Sequence, residues 1–284
     1  MSKYWNTLII SMLLLSLLNC QKRSVLEEKE NINLNLKSMH GPYYIEKMVR
    51  NYHVNISDNY KIKIAADRWK IAIDGAVMAK RPIPILNKII GNETALLVID
   101  MQKAFLDTGA AIEVPKGLSL IDKINNLSGN IRAKNGLVIF FRYKVSDNPG
   151  LLKYFENQSY LGDDRESPLV ALQSNHEQFQ LHPDLHILPS DIIMDKTRYS
   201  AVLGSAIVDT LRNKNIKNVL ITGVTTDVCA GGTAESLMQV DFNVIMAWDG
   251  CAALDRFEHE IYLARIFGLY GDVMPIKEII KRLE

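Results

Sequence analysis

The sequence predicts an α/β fold: a three-layer αβα, doubly wound sheet that is mainly parallel and has about six strands. Three observations support this prediction. The 284 residues are enough for one large α/β domain with some additional chain. From residue 92 to residue 284, short apolar runs alternate with segments of helical spacing, which is typical of a parallel sheet with helices on both faces. The first run, Thr94–Ile99, is apolar on both faces, as expected of a central strand.

The other predicted elements follow along this domain. Leu118–Ala133 carries apolar residues at helical spacing, at positions 120, 121, 124, 127 and 131. Further strands are predicted at short apolar, β-branched or aromatic runs, namely Leu137–Phe141, Ile192–Met194, Val219–Thr222 and Val244–Trp248. Further helices are predicted at Leu203–Arg212, Thr233–Val240 and Glu258–Phe267, and a loop-rich insertion at Val145–Pro189.

The start of the chain differs in character from this domain. Thr7–Leu18 is an almost unbroken apolar run, too short for a membrane span of about 20 residues but of the length of a signal-peptide h-region. The run ends close to Cys20, and an apolar run followed by a cysteine resembles a bacterial lipoprotein signal. In such a signal, residues 1–19 would be removed and Cys20 would be acylated. Asn19 departs from that pattern, in which a small residue usually precedes the cysteine. Residues 20–38 are charged and rich in asparagine, as expected of a polar tether.

We therefore predict an exported protein of the bacterial cell envelope, held at the membrane by a lipid on Cys20. An uncleaved anchor or another kind of signal remains an alternative. Residues 39–91 form an N-terminal extension to which the sequence assigns no role. Within it, Tyr43–Val49 and Asp67–Ala79 have mixed apolar spacing and are expected to form short helices.

Composition narrows the classes of function. The net charge is +1 and aromatic residues make up 8% of the chain, so no broad electrostatic surface for nucleic acid is expected. Three cysteines, Cys20, Cys229 and Cys251, do not make a disulfide framework. A free thiol in an exported protein calls for a chemical explanation.

Three reactive side chains follow three of the predicted strands. Asp100 comes directly after the first strand, Lys196 after the third, and Cys229 where the fourth strand is followed by a helix. Taken alone, each has an ordinary explanation as a turn or cap residue, a solvated lysine or a buried cysteine. Because active sites of open parallel sheets lie at the carboxyl ends of the strands, we expect the three side chains to converge at one edge.

These residue types suit nucleophilic catalysis. The thiolate is the reactive form of cysteine, and the amides and dipole of a helix N-terminus favour it. Asp100 can take the thiol proton, and Lys196 can stabilise the thiolate and orient Asp100. Attack on a carbonyl gives an oxyanion, for which backbone N–H groups around Thr225 and Cys229 are available. No histidine lies near any of the three in the sequence, which disfavours a Cys/His pair.

The motifs around these positions resemble a known family. Asp100 in LLVIDMQKAF, Lys196 in DKTRYSAVLGS and Cys229 in GVTTDVCAGGTAESL are similar to the isochorismatase-like cysteine hydrolases. That superfamily includes nicotinamidases, N-carbamoylsarcosine amidases, ureidoacrylate and biuret hydrolases and isochorismatases. The similarity runs from about Asn92 to Val273.

The resemblance implies an Asp/Lys/Cys triad on a doubly wound sheet. It also implies a cis peptide between Val224 and Thr225, with an oxyanion hole formed by the backbone N–H groups of Thr225 and Cys229. Members of the superfamily commonly form dimers or tetramers, so a homo-oligomer is one open arrangement.

Departures from the family pattern narrow the function. Nicotinamidases carry a metal-binding Asp-x-His where this chain has Tyr143-Lys144-Val145, and Pro183 separates His182 from His186, so no metal and no cofactor are expected. Isochorismatases that act on a vinyl ether often lack the cysteine that is present here. The motifs are closest to the branch that acts on ureido and carbamoyl compounds. Ala230-Gly231-Gly232 is smaller than the residues usual after the cysteine, which leaves the subunit contacts and pocket shape open.

Five further side chains are candidates for substrate binding, although each has an ordinary structural alternative: Gln102, Phe105, Arg142, Arg198 and Tyr199. His259, on a predicted helix, is expected to be structural.

The leading hypothesis is hydrolysis of a linear C–N bond in a small amide, ureide or N-carbamoyl compound through a thioester on Cys229. A vinyl-ether hydrolase of the isochorismatase type is the alternative enzyme. A non-catalytic, surface-anchored binding protein that keeps the fold is the third hypothesis.

Overall fold

The computed structural model describes residues 86–145 and 166–284 in full and, earlier in the chain, the backbone of five strands between residues 47 and 81. Two compact units divide the chain, residues 1–61 and residues 62–284. The predicted signal peptide, the polar tether and Cys20 lie outside the described residues, as do residues 146–165 of the predicted insertion. Within the described ranges, no helix combines the length and apolar character that crossing a membrane requires.

Up to residue 81, the described part of the N-terminal extension consists of strands. Two of them, Lys47–Val49 (β1) and Asn51–His53 (β2), pair in antiparallel fashion. Three more form a second sheet in the order of the chain: Lys61–Ala65 (β3), Arg68–Ile73 (β4) and Ala76–Arg81 (β5).

The expectation of short helices at Tyr43–Val49 and Asp67–Ala79 is therefore wrong for the described residues of those two ranges, which form strands. In β4, Trp69, Ile71 and Ile73 recur at every second position, which is the period of a strand. An Asp-Gly dipeptide separates β4 from β5 in the sequence, and this is a strong hairpin signal. The alternation of apolar residues with a period of two is therefore a stronger signal for a strand than the mixed apolar spacing is for a helix.

The main sheet has six strands, all parallel, in the spatial order β11-β10-β9-β6-β7-β8. They are Thr94–Ile99 (β6), Leu137–Tyr143 (β7), Ile192–Lys196 (β8), Asn218–Val224 (β9), Asn243–Ala252 (β10) and Asp272–Met274 (β11). Every residue of β6 and β9 is buried, as the apolar runs predict. The prediction of a doubly wound sheet of about six strands is confirmed, although the short β11 was not located from the sequence.

The helices of the described ranges are Lys103–Leu106 (α1), Ile121–Ala133 (α2), Pro168–Ala171 (α3), Ile207–Asn213 (α4), Cys229–Met238 (α5), Arg256–Arg265 (α6) and Ile276–Arg282 (α7). A 3-10 turn at Leu118–Leu120 leads into α2, so the predicted helix Leu118–Ala133 is confirmed in its extent. Helix α4 begins four residues later than predicted, because Gly204 takes a φ of +74° and ends any continuous helix there.

The order of the strands reverses between β6 and β9. After β6 the chain passes through α2 to β7 on one side, whereas after β9 it passes through α5 to β10 on the other. Right-handed crossovers in opposite directions place α2 and α5 on opposite faces of the sheet. The crevice at the carboxyl ends of β6 and β9 is therefore the topological switch point, where α/β proteins bind their ligands.

Gly223, near the end of β9, fixes this crevice. Its φ is +103°, and a Cβ atom there would lie 2.0 Å from the backbone oxygen of Ile99 in β6. Only glycine permits both the backbone conformation and the close approach. The residues that follow β6 and β9 are thereby brought side by side.

Candidate active site

Asp100 and Lys196 form a buried ion pair at the carboxyl ends of β6 and β8. Nζ of Lys196 lies 2.7 Å from Oδ2 of Asp100, and neither side chain has any exposed surface. Asp100 also has a left-handed backbone, with a φ of 53°, which costs a non-glycine residue on the order of 1–3 kcal/mol. Buried charges and local strain are both costly, and such features cluster at functional sites.

Cys229 completes this group. It is the first residue of α5, its side chain is 6% exposed, and its thiol lies close enough to Asp100 and Lys196 for both charges to act on it. The three reactive residues predicted at three strand ends are therefore brought together.

The buried surroundings determine the protonation of the site. Burial raises the pKa of the Cys229 thiol, against the positive charge of Lys196, while the negative charge of Asp100 raises it further. Burial also raises the pKa of the Asp100 carboxyl, and the ammonium of Lys196 opposes this. The resting group is thus a thiol beside a Lys–Asp pair. The N-terminus of α5 favours the thiolate, but burial opposes it, so the thiol needs a base such as Asp100 to take its proton.

The last residue of β9 and the four residues that connect it to α5 form the cis-peptide loop, residues 224–228. The peptide bond between Val224 and Thr225 is cis, as the family resemblance implies. The carbonyl oxygen of Thr225 accepts from the N–H groups of Val228 and Ala230 at 3.3 and 3.0 Å. Because Cys229 begins α5, its N–H has no partner within the helix. The backbone of this loop therefore runs directly beside the thiol.

Tyr143 forms one wall of the site. Nothing in the sequence marks this residue as functional. The ammonium of Lys196 lies 4.4 Å from the centre of its ring, and the ring of Tyr199 stacks on it at 6.0 Å. Burial raises the pKa of the Tyr143 hydroxyl, and the neighbouring Cys229 and Tyr199 act in the same direction whereas Arg198 opposes them. A neutral phenol thus lies next to the reactive groups. Its orientation depends on the pairing of Tyr143 with Lys196 in β7 and β8, which the sequence does not reveal.

Gln102 does not face a substrate, which corrects its assignment as a binding residue. Its amide nitrogen donates to the backbone oxygens of Tyr143 and Phe179, at 3.1 and 2.7 Å. Its amide oxygen accepts from the N–H of Tyr143 at 2.6 Å. The side chain is fully buried. Gln102 therefore holds the backbone of Tyr143 in place.

Arg142 also lies away from the reactive group. It pairs with Asp195, with Nε 2.7 Å from Oδ1, and its guanidinium lies 4.6 Å from the centre of the Phe179 ring. Successive residues of a strand point to opposite faces, so Arg142 and Asp195 lie on the face opposite to Tyr143 and Lys196. The prediction that Arg142 binds substrate is corrected accordingly.

The other three candidates remain predictions. Phe105 lies in α1 and is 5% exposed, within the hydrophobic core. Arg198 is half-buried; its backbone oxygen accepts from Nζ of Lys196 at 3.1 Å, and its guanidinium donates to the backbone oxygen of Thr197 at 2.9 Å. With Tyr199 stacked on Tyr143, Arg198 and Tyr199 both lie beside the reactive group.

The small residues after Cys229 are explained by Tyr262 of α6. A Cβ atom on Gly231 would lie 2.1 Å from Cε1 of Tyr262 and 2.5 Å from the backbone oxygen of Thr226. A Cβ atom on Gly232 would meet nothing within 4 Å. The departure from the family pattern therefore has a packing cause at Gly231 and none at Gly232.

The described ranges contain no group of three His, Cys, Asp or Glu side chains placed to hold a metal ion. His182 instead lies 3.6 Å from a carboxylate oxygen of Asp107, and its Nδ1 accepts from the N–H of Asp184 at 3.3 Å. Of the described cysteines, Cys229 and Cys251 are both free.

Comparisons with known proteins identify the family of the chain. The isochorismatase domain family matches residues 94–278. A ureidoacrylate amidohydrolase of Pseudomonas savastanoi pv. phaseolicola is 31% identical over 217 residues, which is 71% of this chain and 87% of that protein. The chain belongs to the isochorismatase family. A ureidoacrylate amidohydrolase of Klebsiella pneumoniae subsp. pneumoniae is 29% identical over 200 residues, 65% of this chain and 84% of that protein.

Two solved structures illustrate the shared fold. A cysteine hydrolase from Pseudomonas syringae pv. phaseolicola has a TM-score of 0.63 at 24% identity, covering 71% of this chain and 97% of that one. The N-carbamoylsarcosine amidase from Thermoplasma acidophilum has a TM-score of 0.54 at 18% identity, covering 65% and 96%. The predicted family, and with it the prediction of a hydrolase acting on non-peptide C–N bonds, is confirmed at the level of the family.

Proposed function

We propose that this protein hydrolyses a linear C–N bond of a small amide, ureide or N-carbamoyl compound through a thioester on Cys229. The observation that carries the proposal is the convergence of the Asp100–Lys196 ion pair and the Cys229 thiol at the switch point. The names of the relatives support the choice of bond, since ureidoacrylate amidohydrolases and an N-carbamoylsarcosine amidase are among them.

The first half of the reaction forms the thioester. Asp100 takes the proton of the Cys229 thiol as the sulfur attacks the carbonyl carbon, and the carbonyl electrons move onto its oxygen. The N–H groups of Thr225 and Cys229 bind this oxyanion. The oxyanion then collapses and the C–N bond breaks. The departing nitrogen takes the proton from Asp100, which leaves the acyl group on the sulfur.

The second half of the reaction hydrolyses the thioester and regenerates the free enzyme. Asp100 takes a proton from water as its oxygen attacks the thioester carbonyl, and the same N–H groups bind the second oxyanion. The C–S bond breaks, and the sulfur regains its proton from Asp100. Lys196 stays charged throughout. It offsets the negative charge that moves between the carboxyl and the sulfur, which burial would otherwise make costly.

The buried ion pair favours an enzyme over a non-catalytic binding protein. Burying a carboxylate and an ammonium costs several kcal/mol per ion before their attraction is counted, and apolar residues of similar size often serve stability as well or better. A protein that only bound a ligand elsewhere on the fold would have no use for such a pair beside a thiol. The thiol also favours a thioester route over hydrolysis of a vinyl ether.

We propose a ureido or N-carbamoyl acid as the substrate class. The ureidoacrylate amidohydrolases among the relatives act on an acid of this kind by name. Arg198 supplies a cation beside the reactive group that suits a substrate carboxylate, and Tyr199 and Phe105 supply apolar surface. Ureides without a carboxylate should then react more slowly than their acidic counterparts.

A substrate panel tests this proposal. Ammonia release is measured from small amides, ureides and N-carbamoyl amino acids, with wild type and Cys229→Ala in parallel. We expect release from at least one N-carbamoyl acid by the wild type and none above background by the variant. Equal rates for both proteins would refute the mechanism. Pyruvate release from a vinyl-ether substrate that survives loss of the thiol would favour the alternative enzyme.

The location of the protein is a separate part of the proposal and rests on the sequence alone. Export and acylation at Cys20 would place the hydrolase at the bacterial envelope, held off the membrane by residues 20–38. Metabolic labelling with a fatty acid should mark the wild type and leave Cys20→Ala unmarked. An unlabelled wild type would remove the lipid anchor from the proposal.

A further inference from the structure

Helix α6 contacts both the cis-peptide loop and the start of α5. Nδ1 of His259 lies 2.7 Å from the hydroxyl oxygen of Thr226 in the loop. One helical turn further, the ring of Tyr262 lies against Gly231 of α5, so closely that a Cβ atom on Gly231 would come 2.1 Å from Cε1 of the ring. The contact of His259 is with Thr226 and not with Asp100 or Lys196, so an effect of His259 on the reactive group would act through the loop.

The position of Thr226 makes this contact relevant to the oxyanion. Its neighbour Thr225 supplies one of the two N–H groups that the proposed function assigns to the oxyanion hole. The N–H of Thr226 donates to the backbone oxygen of Ala252 at 2.8 Å, which ties the loop to the end of β10. The side chain of Thr226 is tied to α6 through His259. These two hydrogen bonds, one from the backbone N–H and one at the side-chain hydroxyl, fix the peptide unit between Thr225 and Thr226. Because Thr225 links that unit to the Val224–Thr225 peptide, they also limit how far the N–H of Thr225 can turn.

His259 is suited to this role because it is uncharged at neutral pH. Burial lowers its pKa to about 4, and the positive charge of Lys116 acts in the same direction. A neutral imidazole accepts at one nitrogen and donates at the other, so it pairs with the Thr226 hydroxyl without placing a charge near the reactive carbonyl. A permanently charged side chain there would disturb the balance between Asp100 and Lys196.

We propose that His259 is a positioning residue: through Thr226 it holds the N–H of Thr225 in the direction that binds the oxyanion. This inference rests on the proposed function for the role of that N–H. A purely structural histidine would stabilise the fold without affecting the rate of acyl transfer in particular.

The test compares two reactions of the same thiol. In acylation by p-nitrophenyl acetate, the S–C bond forms, an oxyanion appears on the ester carbonyl, the C–O bond breaks, and p-nitrophenolate leaves while the thiol proton passes to Asp100. In alkylation by iodoacetamide, sulfur displaces iodide at a saturated carbon and no oxyanion forms. A misplaced oxyanion hole should slow only the first reaction. Both rates are measured on the full chain, with Cys229→Ala as the background for each.

We expect His259→Leu to lower the acylation rate about 10-fold, less than the 10²–10³-fold typical of deleting a donor outright, with the alkylation rate changed less than twofold. Thr226→Val should give the same loss, and the double variant should lose no more than either single variant, because both break one hydrogen bond. His259→Asn, whose amide reaches about as far as Nδ1, should restore most of the rate. Tyr262→Phe is the matched control on α6. It keeps the ring against Gly231 and loses only the hydroxyl bond to Glu235, so it should leave the acylation rate unchanged.

Three results would overturn the inference. Equal losses of acylation and alkylation in His259→Leu would mean a general loss of structure around the thiol. Losses from His259→Leu and Thr226→Val that add would mean that the two side chains act separately. Acylation of the wild type that Cys229→Ala does not abolish would contradict the thioester mechanism and this inference together. A substrate panel with no turnover, but with the predicted ratio of rates, would instead refute only the substrate assignment.

Discussion

The two adjacent glycines of α5 give the sharpest prediction about the architecture of the site. We expect Gly231→Ala to destabilise the protein and Gly232→Ala to stabilise it. The same atom is added one residue apart in the same helix. Only the first addition meets another side chain, since Cε1 of Tyr262 would lie 2.1 Å away and the backbone oxygen of Thr226 2.5 Å away.

The magnitude follows from these distances. Carbon atoms in contact prefer about 3.5–4.0 Å, so the Tyr262 ring would have to retreat by more than about 1 Å. Its hydroxyl donates to Glu235 at 2.6 Å, which limits that movement, and the Thr226 oxygen belongs to backbone that cannot rotate away. Overpacking of this kind costs about 1–3 kcal/mol, and we expect the upper part of that range. Replacing glycine by alanine in a helix returns up to about 1 kcal/mol, which leaves a net loss of about 2 kcal/mol.

Urea unfolding and thermal unfolding measure the difference. For a domain of this size, about 2 kcal/mol lowers Tm by about 4–8 °C, whereas Gly232→Ala should raise it by about 1–4 °C. Combining Gly231→Ala with Tyr262→Ala should recover part of the loss, as a double-mutant cycle would show. Equal stabilities of the two glycine variants would refute the packing argument. A cycle with no coupling would show that the contact with Tyr262 is not the cause.

Three further predictions concern two ionisable side chains and one aromatic ring. Lys196→Met should destabilise the fold by about 3–5 kcal/mol, because it leaves Asp100 buried without its partner. Adding Asp100→Asn should restore most of that stability while turnover stays absent, and a double variant as unstable as the single one would contradict this account. Tyr143→Phe keeps the ring beside Lys196 and should retain at least a tenth of kcat, whereas Tyr143→Leu should lose about 10-fold more; equal rates for the two variants would argue against the ring contact. Burial and the neighbouring carboxylates of Asp227 and Asp255 raise the pKa of Glu258 to about 7, above its ordinary value of 4.5. The folded state therefore binds this proton more tightly than the unfolded state does. The resulting stability is present below about pH 4.5 and is lost as the pH rises through 7. The free energy of unfolding should therefore fall between pH 5 and pH 8 in the wild type and fall less in Glu258→Gln, and an equal fall in both would exclude this carboxyl as the cause.

The convergence of the three proposed catalytic residues was predictable from the sequence because each lies at a strand end. A strand of apolar residues has a recognisable end, and parallel strands bring their carboxyl ends to one edge, so Asp100, Lys196 and Cys229 converge without any knowledge of register. Residues within or just beside strands need more information. Whether Arg142 or Tyr143 faces the site depends on a shift of one residue between β7 and β8. Pattern alone leaves that choice open.

Hydrogen bonding and burial limit sequence reasoning in a different way. Gln102 looks like a substrate ligand in the sequence, but a buried amide must find partners, and the backbones of Tyr143 and Phe179 provide them. The protonation of Cys229 likewise depends on how much solvent reaches it, which no local motif reports. Because burial raises the pKa of the Cys229 thiol, we expect slow alkylation near neutral pH even if the protein is an active enzyme. Slow alkylation would therefore not by itself indicate an inert thiol.

The proposed mechanism requires a covalent acyl-enzyme on Cys229 formed with Asp100 as the base. Intact-mass measurement of the protein, quenched in acid within the first turnovers on an N-carbamoyl acid, detects this intermediate. We expect an adduct equal to the acyl part of the substrate, mapped to Cys229 by peptide analysis. The adduct should be absent in Cys229→Ala and should form at least about 10²-fold more slowly in Asp100→Asn, which lacks the base. Turnover by the wild type with no adduct on Cys229, together with undiminished turnover by Cys229→Ala, would contradict it.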